Sequence, residues 1–180
     1  MFRLGSVSMK ISGTKVNLRQ FTSSDFNQIV LWNKDELLSY FIGRRLPSTI
    51  DECQHRYFKK AFLLRKSLAI EDKGGNILGE IEIDHILWKR KQAELFMYIG
   101  HRDIWGKGYG TDALTTFIDY IFNEKRFKSI YLKVYQNNTR AIRCYEKCGF
   151  KKKGILKFSD HELHGDNVIL MERIADGREG

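Results

Sequence analysis

A chain of 180 residues fits one domain of ordinary size and leaves little room for a second folded unit. Apolar residues at 42% and aromatics at 13% suffice for a sizeable interior and exclude the composition of a disordered protein. No apolar run approaches the roughly 20 residues of a membrane helix, and the amino terminus lacks the apolar stretch of a secretory signal, so a cytosolic protein with no membrane partner is expected.

The formal charge of +9 draws in polyanions, whether nucleic acid, acidic membrane or a small phosphorylated cofactor. The basic residues fall in short clusters: Lys59 with Lys60, Lys89 to Lys91 with Arg90 between, Lys125 with Arg126 and Lys128, and Lys151 to Lys153. Most read as solvated surface, with one or two near a bound phosphate. Three cysteines, Cys53, Cys144 and Cys148, contain no C-x-x-C pair, which indicates reduced thiols rather than a disulfide framework or a zinc site.

Residues 1–8 precede a second methionine at Met9 and follow no period, so a single domain over 10–175 is expected, with 1–9 and 176–180 as flexible ends. Residues 14–21 alternate around Val16 and Leu18 and predict a first strand. Ser23, Ser24 and Asp25 are candidate caps for a helix through Ile29 and Trp32. A second helix is expected after Pro47, Ser48 and Thr49, through Tyr57 and Phe62. Residues 68–71 and 77–87 predict two strands joined by a turn with Gly74 and Gly75. Residues 93–100 alternate, with Leu95, Met97 and Ile99 on one face and Glu94, Phe96 and Tyr98 on the other.

A helix over 112–122 presents Ala113, Phe117, Ile118 and Ile121 to the sheet, and 130–135 reads as a short strand. Residues 139–147 predict a helix stopped by Gly149, and two strands over 150–158 and 162–172 complete the sheet. The fold class is α/β of mixed α+β character: one domain with a mixed, mostly antiparallel sheet of about seven strands, flanked on both faces by about four helices.

The stretch WGKGYGTDAL, 105–114, joins a strand to a helix. Gly106, Gly108 and Gly110 permit positive φ and close approach of backbone amides to a ligand, and the helix that follows offers unpaired amides and a positive dipole end. That combination is a phosphate cradle, to which Lys107 adds a point charge; a merely flexible glycine turn is the alternative. A Walker loop needs Gly-Lys-Ser/Thr and a dinucleotide fingerprint needs G-x-G-x-x-G, and neither spacing is present.

Trp105, Gly106, Lys107, Gly108, Tyr109 and Gly110 resemble the Q/R-x-x-G-x-G/A acetyl-CoA loop of the GNAT superfamily of N-acetyltransferases. Trp105 departs from the usual glutamine or arginine and is similar to the branch containing the ribosomal-protein N-terminal acetyltransferases. Downstream, Asn138, Ala141 and Tyr145 stand in a segment resembling the superfamily's N-x-x-A-x-x-x-Y-x-x-x-G-F pattern. The resemblance implies acetyl-CoA as co-substrate, with no metal. It implies that the amides from Gly106 to Thr111 receive the pyrophosphate, that Met97, Tyr98 and Ile99 pair with the pantetheine arm, and that Asn138 belongs to the cofactor site.

Acetyl transfer from a thioester to an amine needs a neutral amine, a stabilised oxyanion and a proton for the thiolate. An alkylammonium with a pKa of about 10.4 must lose a proton first, to a carboxylate or through water. Glu94, on the strand that feeds the loop, is the candidate base, at a position similar to that of the catalytic glutamate in histone-type members; a structural carboxylate is the alternative. Tyr145, by resemblance, protonates the thiolate, or else packs on the sheet. A backbone amide near Tyr98 or Ile99 is expected to meet the oxyanion. Glu80, Glu82 and Asp84 share one strand face and either face solvent, the plainer reading, or line an acidic acceptor pocket.

His161 and His164 lack the H-E-x-x-H spacing of a zinc site, and Cys144 and Cys148 read as packing residues. The expected acceptor is a primary amine of a protein amino terminus or of a small molecule such as a polyamine, amino sugar or aminoglycoside. No specific nucleic acid is expected, and a homodimer is compatible with the sequence. A non-catalytic CoA-binding module and a basic RNA- or ribosome-associated protein are the rival readings.

Overall fold

The computed structural model describes residues 10–58, 66–124, 127–156 and 167–175. In chain order these form β1 (Lys10–Ser12), β2 (Val16–Arg19), α1 (Phe26–Trp32), α2 (Glu36–Ile42), α3 (Ile50–Tyr57), β3 (Lys66–Asp72), β4 (Ile77–Leu87) and β5 (Gln92–Ile99). There follow α4 (Tyr109–Asn123), β6 (Ser129–Tyr135), α5 (Thr139–Lys147), β7 (Lys151–Leu156) and β8 (Val168–Ile174). One sheet of eight strands runs in the order β1-β2-β3-β4-β5-β6-β8-β7.

The sheet separates two apolar layers. Period-two alternation sends Ile81, Ile83 and Leu95 to one side, where Ala113, Leu114, Phe117, Ile118 and Ile121 of α4 cover them. Phe96 and Tyr98 point the other way, into a cluster with Phe26, Ile29, Trp32, Leu38 and Cys53 from α1, α2 and α3. Helices on both faces of a mixed sheet are thus observed, as the hydrophobic periods predicted.

Two elements were not legible. β1 is three residues long and mostly exposed, too short for any alternation to register. α2 spans only seven residues, yet its ends are well marked: Asp35 accepts from the Leu38 amide at 3.0 Å, and Gly43 closes it in the left-handed region at φ 67°. At the first helix the Asp25 side chain reaches back to the Thr22 amide at 2.8 Å and α1 begins one residue later. α3 stops at Tyr57, and Phe62, Glu162, His161 and His164 lie outside the described residues.

The strand pairs are antiparallel except β5 with β6, which run parallel and meet only over Gln92–Glu94 against Ser129–Tyr131. β6 stays fully paired with β8 on its other side, from Ser129↔Ile174 to Tyr135↔Val168. Beyond Glu94 and Tyr131 the two central strands therefore part, and a gap opens in the middle of the sheet.

Candidate active site

A cavity of about 660 Å³ occupies this gap. Its walls come from Leu38, Phe41 and Arg44 on one layer, Glu94 to Ile99 of β5, the glycine loop, and Arg140, Arg143, Cys144 and Tyr145 of α5 on the other. Gly100 donates its amide to Leu78 of β4 at 2.8 Å. Since backbone groups alternate along a strand, Met97 and Ile99 direct theirs away from β4 and into the gap. Tyr98 turns its own toward β4, so of the two residues expected near an oxyanion Ile99 alone faces the gap by its backbone.

The loop is built as a cradle. Gly106 and Gly108 have φ of 78° and 88°, a region that side-chain-bearing residues rarely adopt. A Cβ on Gly106 would meet nothing within 4 Å, and one on Gly108 would meet only the Lys15 side chain, at 3.6 Å from Nζ. Gly110 differs from expectation: α4 starts at Tyr109, so Gly110 lies in its first turn and is not a positive-φ residue. The first helical bond runs from the Asp112 amide to the Gly108 carbonyl at 3.0 Å, which leaves the amides of Tyr109, Gly110 and Thr111 without intrahelical acceptors. Open space above two left-handed glycines, at the positive end of a 15-residue helix, fits a pyrophosphate.

Lys107 and Tyr109 do not line the cavity. Lys107 contributes its carbonyl, which accepts from Lys15 Nζ at 2.8 Å, and that ammonium lies 5.5 Å from the Tyr109 ring centroid. Lys15, which like Lys107 does not line the cavity, thus brings a basic group beside Gly108. It is set there by the Asp112 carboxylate, which accepts the amides of Thr14, Lys15 and Val16 at 3.1, 2.8 and 3.0 Å. Sequence reasoning also missed Arg140, Arg143 and Lys147, which line the cavity at i, i+3 and i+7 on α5. Their helical spacing was the available signal.

Trp105 spans the junction. Its indole N–H donates to the Ile99 carbonyl at 2.8 Å, and the Arg140 guanidinium sits 3.3 Å from its ring centroid. Asn138 is the N-cap of α5, accepting from the Ala141 amide at 3.2 Å, and lines the cavity.

Glu94 sits at the fork itself, as the last β5 residue paired with β6. Its carboxylate meets Lys133 Nζ at 3.2 Å and His85 Nδ1 at 3.2 Å. His85 reaches it because a register shift between Asp84 and Leu87 puts that residue at φ 46°. Tyr145 stands on the α5 wall, buried and edge-on to Phe150 at 5.9 Å. Burial pushes its phenol well above the ordinary value, so it stays protonated. Cys144 also lines the cavity, 3.4 Å from Thr111 Oγ1, while Cys148 is buried; a hydrogen bond to Cys148, with burial, raises the Cys144 thiol.

Glu80 and Glu82 overturn the solvent-facing expectation, because both are fully buried. Glu80 accepts from Ser67 at 2.6 Å, Tyr57 at 3.0 Å and Arg56 at 3.2 Å. Glu82 accepts from Arg44 at 2.8 Å and Arg56 at 3.5 Å. The arginines come from beyond α2 and from α3, where sequence distance hid the pairing. Asp84, by contrast, lines the cavity.

The sequence profile of the acetyltransferase (GNAT) domain family matches residues 15–151. The chain is 29% identical over 145 residues to a spermidine N(1)-acetyltransferase of Vibrio cholerae, covering 79% of this chain and 83% of that protein. It is 25% identical over 162 residues to an aminoglycoside N(6')-acetyltransferase type 1 of Klebsiella pneumoniae, covering 83% and 80%. Its fold is similar to that of the spermidine N-acetyltransferase from Vibrio cholerae solved with CoA and spermine, with a TM-score of 0.77 at 24% identity over 89% of this chain and 95% of that one. A GNAT-family acetyltransferase from Bacillus anthracis gives 0.77 at 18% identity, over 92% and 98%. A sheet split between β5 and β6, with a glycine cradle at the head of α4, thus defines an acyl-transfer fold. The chain belongs to the GNAT acetyltransferase family and is an N-acetyltransferase.

Proposed function

We propose that the protein transfers the acetyl group of acetyl-CoA directly to a primary amine of a small cationic acceptor, of polyamine or aminoglycoside type. The observation that carries this is the gap between β5 and β6, with the open cradle of Gly106 and Gly108 at one end and Glu94 at the fork. Acetyl-CoA supplies an activated thioester when bound. The amides of residues 108–111 hold its pyrophosphate, aided by Lys15, and Met97 offers its backbone groups to the pantetheine arm. The Ile99 N–H stabilises the oxyanion that develops on the acetyl carbonyl. Glu94 attracts the acceptor ammonium and takes one proton, directly or through water; Tyr145 protonates the departing sulfur and is restored by the proton the nitrogen loses as the amide forms. The relatives that act on spermidine and on aminoglycosides support this acceptor class.

Trp105 favours a second acceptor, a protein amino terminus, through its likeness to the ribosomal-protein branch. It bonds Ile99 and stacks under Arg140, which orders the cofactor side, and it also meets the Phe41 ring of α2 edge-on at 6.4 Å. Incubation with acetyl-CoA and spermidine, an aminoglycoside or a peptide with a free amino terminus, read by mass spectrometry, tests both. Acetylation of either small amine is expected; transfer to the peptide alone would assign the protein to the ribosomal-protein branch. Gly108→Asp should abolish the rise in melting temperature that acetyl-CoA gives the parent.

A further inference from the structure

On the sheet face away from α4, three cross-strand pairs step along β4 and β5: Glu80 opposite Tyr98, Glu82 opposite Phe96, and Asp84 opposite Glu94. The first step is sealed, since Glu80 is buried among Ser67, Tyr57 and Arg56. The second differs. Its arginine, Arg44, is 29% exposed, lines the cavity, and follows the left-handed Gly43 that ends α2.

The Arg44 guanidinium lies 3.1 Å from the Phe96 ring centroid and donates from Nη1 to Glu82 at 2.8 Å. Its Nε and Nη2 are buried with no hydrogen-bond partner among the described residues. Phe96 lines the cavity and Glu82 is buried behind it, so a cation that displaced Arg44 would meet an aromatic face and a carboxylate, with Arg56 remaining as a second contact on Glu82 at 3.5 Å. Here the protein's own cation occupies that slot with two nitrogens unsatisfied. Swinging out to solvent would return hydrogen bonds to both, so Arg44 holds the slot less firmly than a fully paired arginine would.

We propose that the slot between Glu82 and Phe96 is a subsite for a second cationic group of the acceptor, and that Arg44 is its resident competitor. Resting on the acetyl-transfer reading, this makes Arg44 the residue that sets how well a polycationic amine is accepted relative to a singly charged one. Glu82 lies diagonally across from Glu94, two residues along and one strand over, about 7–8 Å between their backbone positions. A spacer of three or four methylenes between amine nitrogens bridges such a step, so an amine held at Glu94 places its next ammonium at Glu82.

The test compares kcat/KM for spermidine with that for butylamine in the parent, in Arg44→Ala and in Arg44→Ala with Glu82→Gln. Arg44→Ala should raise the spermidine-to-butylamine ratio by about tenfold, mostly through KM, the effect of one partly buried charge contact. Adding Glu82→Gln should cancel the gain. An unchanged or lower ratio in Arg44→Ala, or a gain that survives Glu82→Gln, would overturn the proposal. Should Arg44→Ala not fold because Glu82 loses one of its cationic partners and keeps Arg56, Arg44→Gln, which keeps a donor, carries the same comparison. Calorimetry of spermidine and butylamine on the CoA-loaded proteins reads the same ratio without turnover. Absence of acetyl transfer from every protein would sink the functional reading while the calorimetry still decides the slot.

Discussion

The indole N–H of Trp105 donates to the carbonyl of Ile99 at 2.8 Å, tying the head of the glycine loop back onto the strand that leads into it. One bond therefore fixes the loop relative to the strand edge that faces the gap. Trp105→Phe keeps a ring beneath Arg140 and loses only this bond. It should cost about 1 kcal/mol of stability and weaken acetyl-CoA binding about three- to tenfold, read by thermal denaturation and calorimetry. Unchanged affinity would show that the tie does not order the loop.

Tyr145→Phe removes the proposed acid and leaves the ring packed on Phe150. kcat should fall by about 10- to 10⁴-fold, with acetyl-CoA affinity little changed. Because burial pushes the phenol upward, its proton is retained as pH rises, and Tyr145 should impose no alkaline fall in kcat up to about pH 10. An unchanged kcat in the variant would return Tyr145 to packing.

Glu94→Gln preserves size and one hydrogen-bonding face while removing charge at the fork. The fold and acetyl-CoA binding should survive, kcat should fall, and activity should recover in part at high pH as more of the acceptor becomes neutral. Steady-state rates against pH, with acetyl-CoA saturating, provide the measurement. Retained kcat with the parent's profile would pass the role to Asp84, the other carboxylate in the cavity wall.

Away from the cavity, Arg19 holds two carboxylates. It meets Asp25 at 2.7 and 2.9 Å and also bonds Glu71, all three side chains being largely buried. Burial acts to raise both carboxyls, but hydrogen bonds outweigh it, from Arg19 and Thr22 on Asp25 and from Lys10 and Arg19 on Glu71, so both titrate below the ordinary range. Groups lowered in the folded state contribute fully above their unfolded values of about 4 and lose that contribution as pH falls through the folded ones. Arg19→Met should cost about 3–5 kcal/mol at neutral pH, and much less near pH 3, where the stranded carboxyls take up protons. A pH-independent loss would mean that packing of the Arg19 stem dominates.

The cradle, the strand before it and the helix after it were legible because their determinants are local. Glycine spacing, a period of two in 93–100 and a period near 3.6 in 112–122 each lie within one turn or one strand. α5 was bounded correctly for the same reason, by Asn138 at its start and Gly149 after its end. α2 escaped because seven residues hold too few apolar positions to display a period, even though Asp35 and Gly43 mark both ends.

By itself, then, the sequence determined the strand, glycine loop and helix of the cradle, the alternating faces of β5, and the elements that carry Glu94 and Tyr145. Only the tertiary structure decided what the charges meet. Glu80 and Glu82 share a period with Asp84, yet two are buried beneath arginines from elements 24 to 38 residues away and one opens on the cavity. Lys15 comes to the glycine loop from 92 residues upstream, carried by a single carboxylate at Asp112. Periodicity names the face a side chain takes; the element that packs over that face is set by chain crossings, and Coulomb partners follow from those crossings rather than from neighbours in sequence.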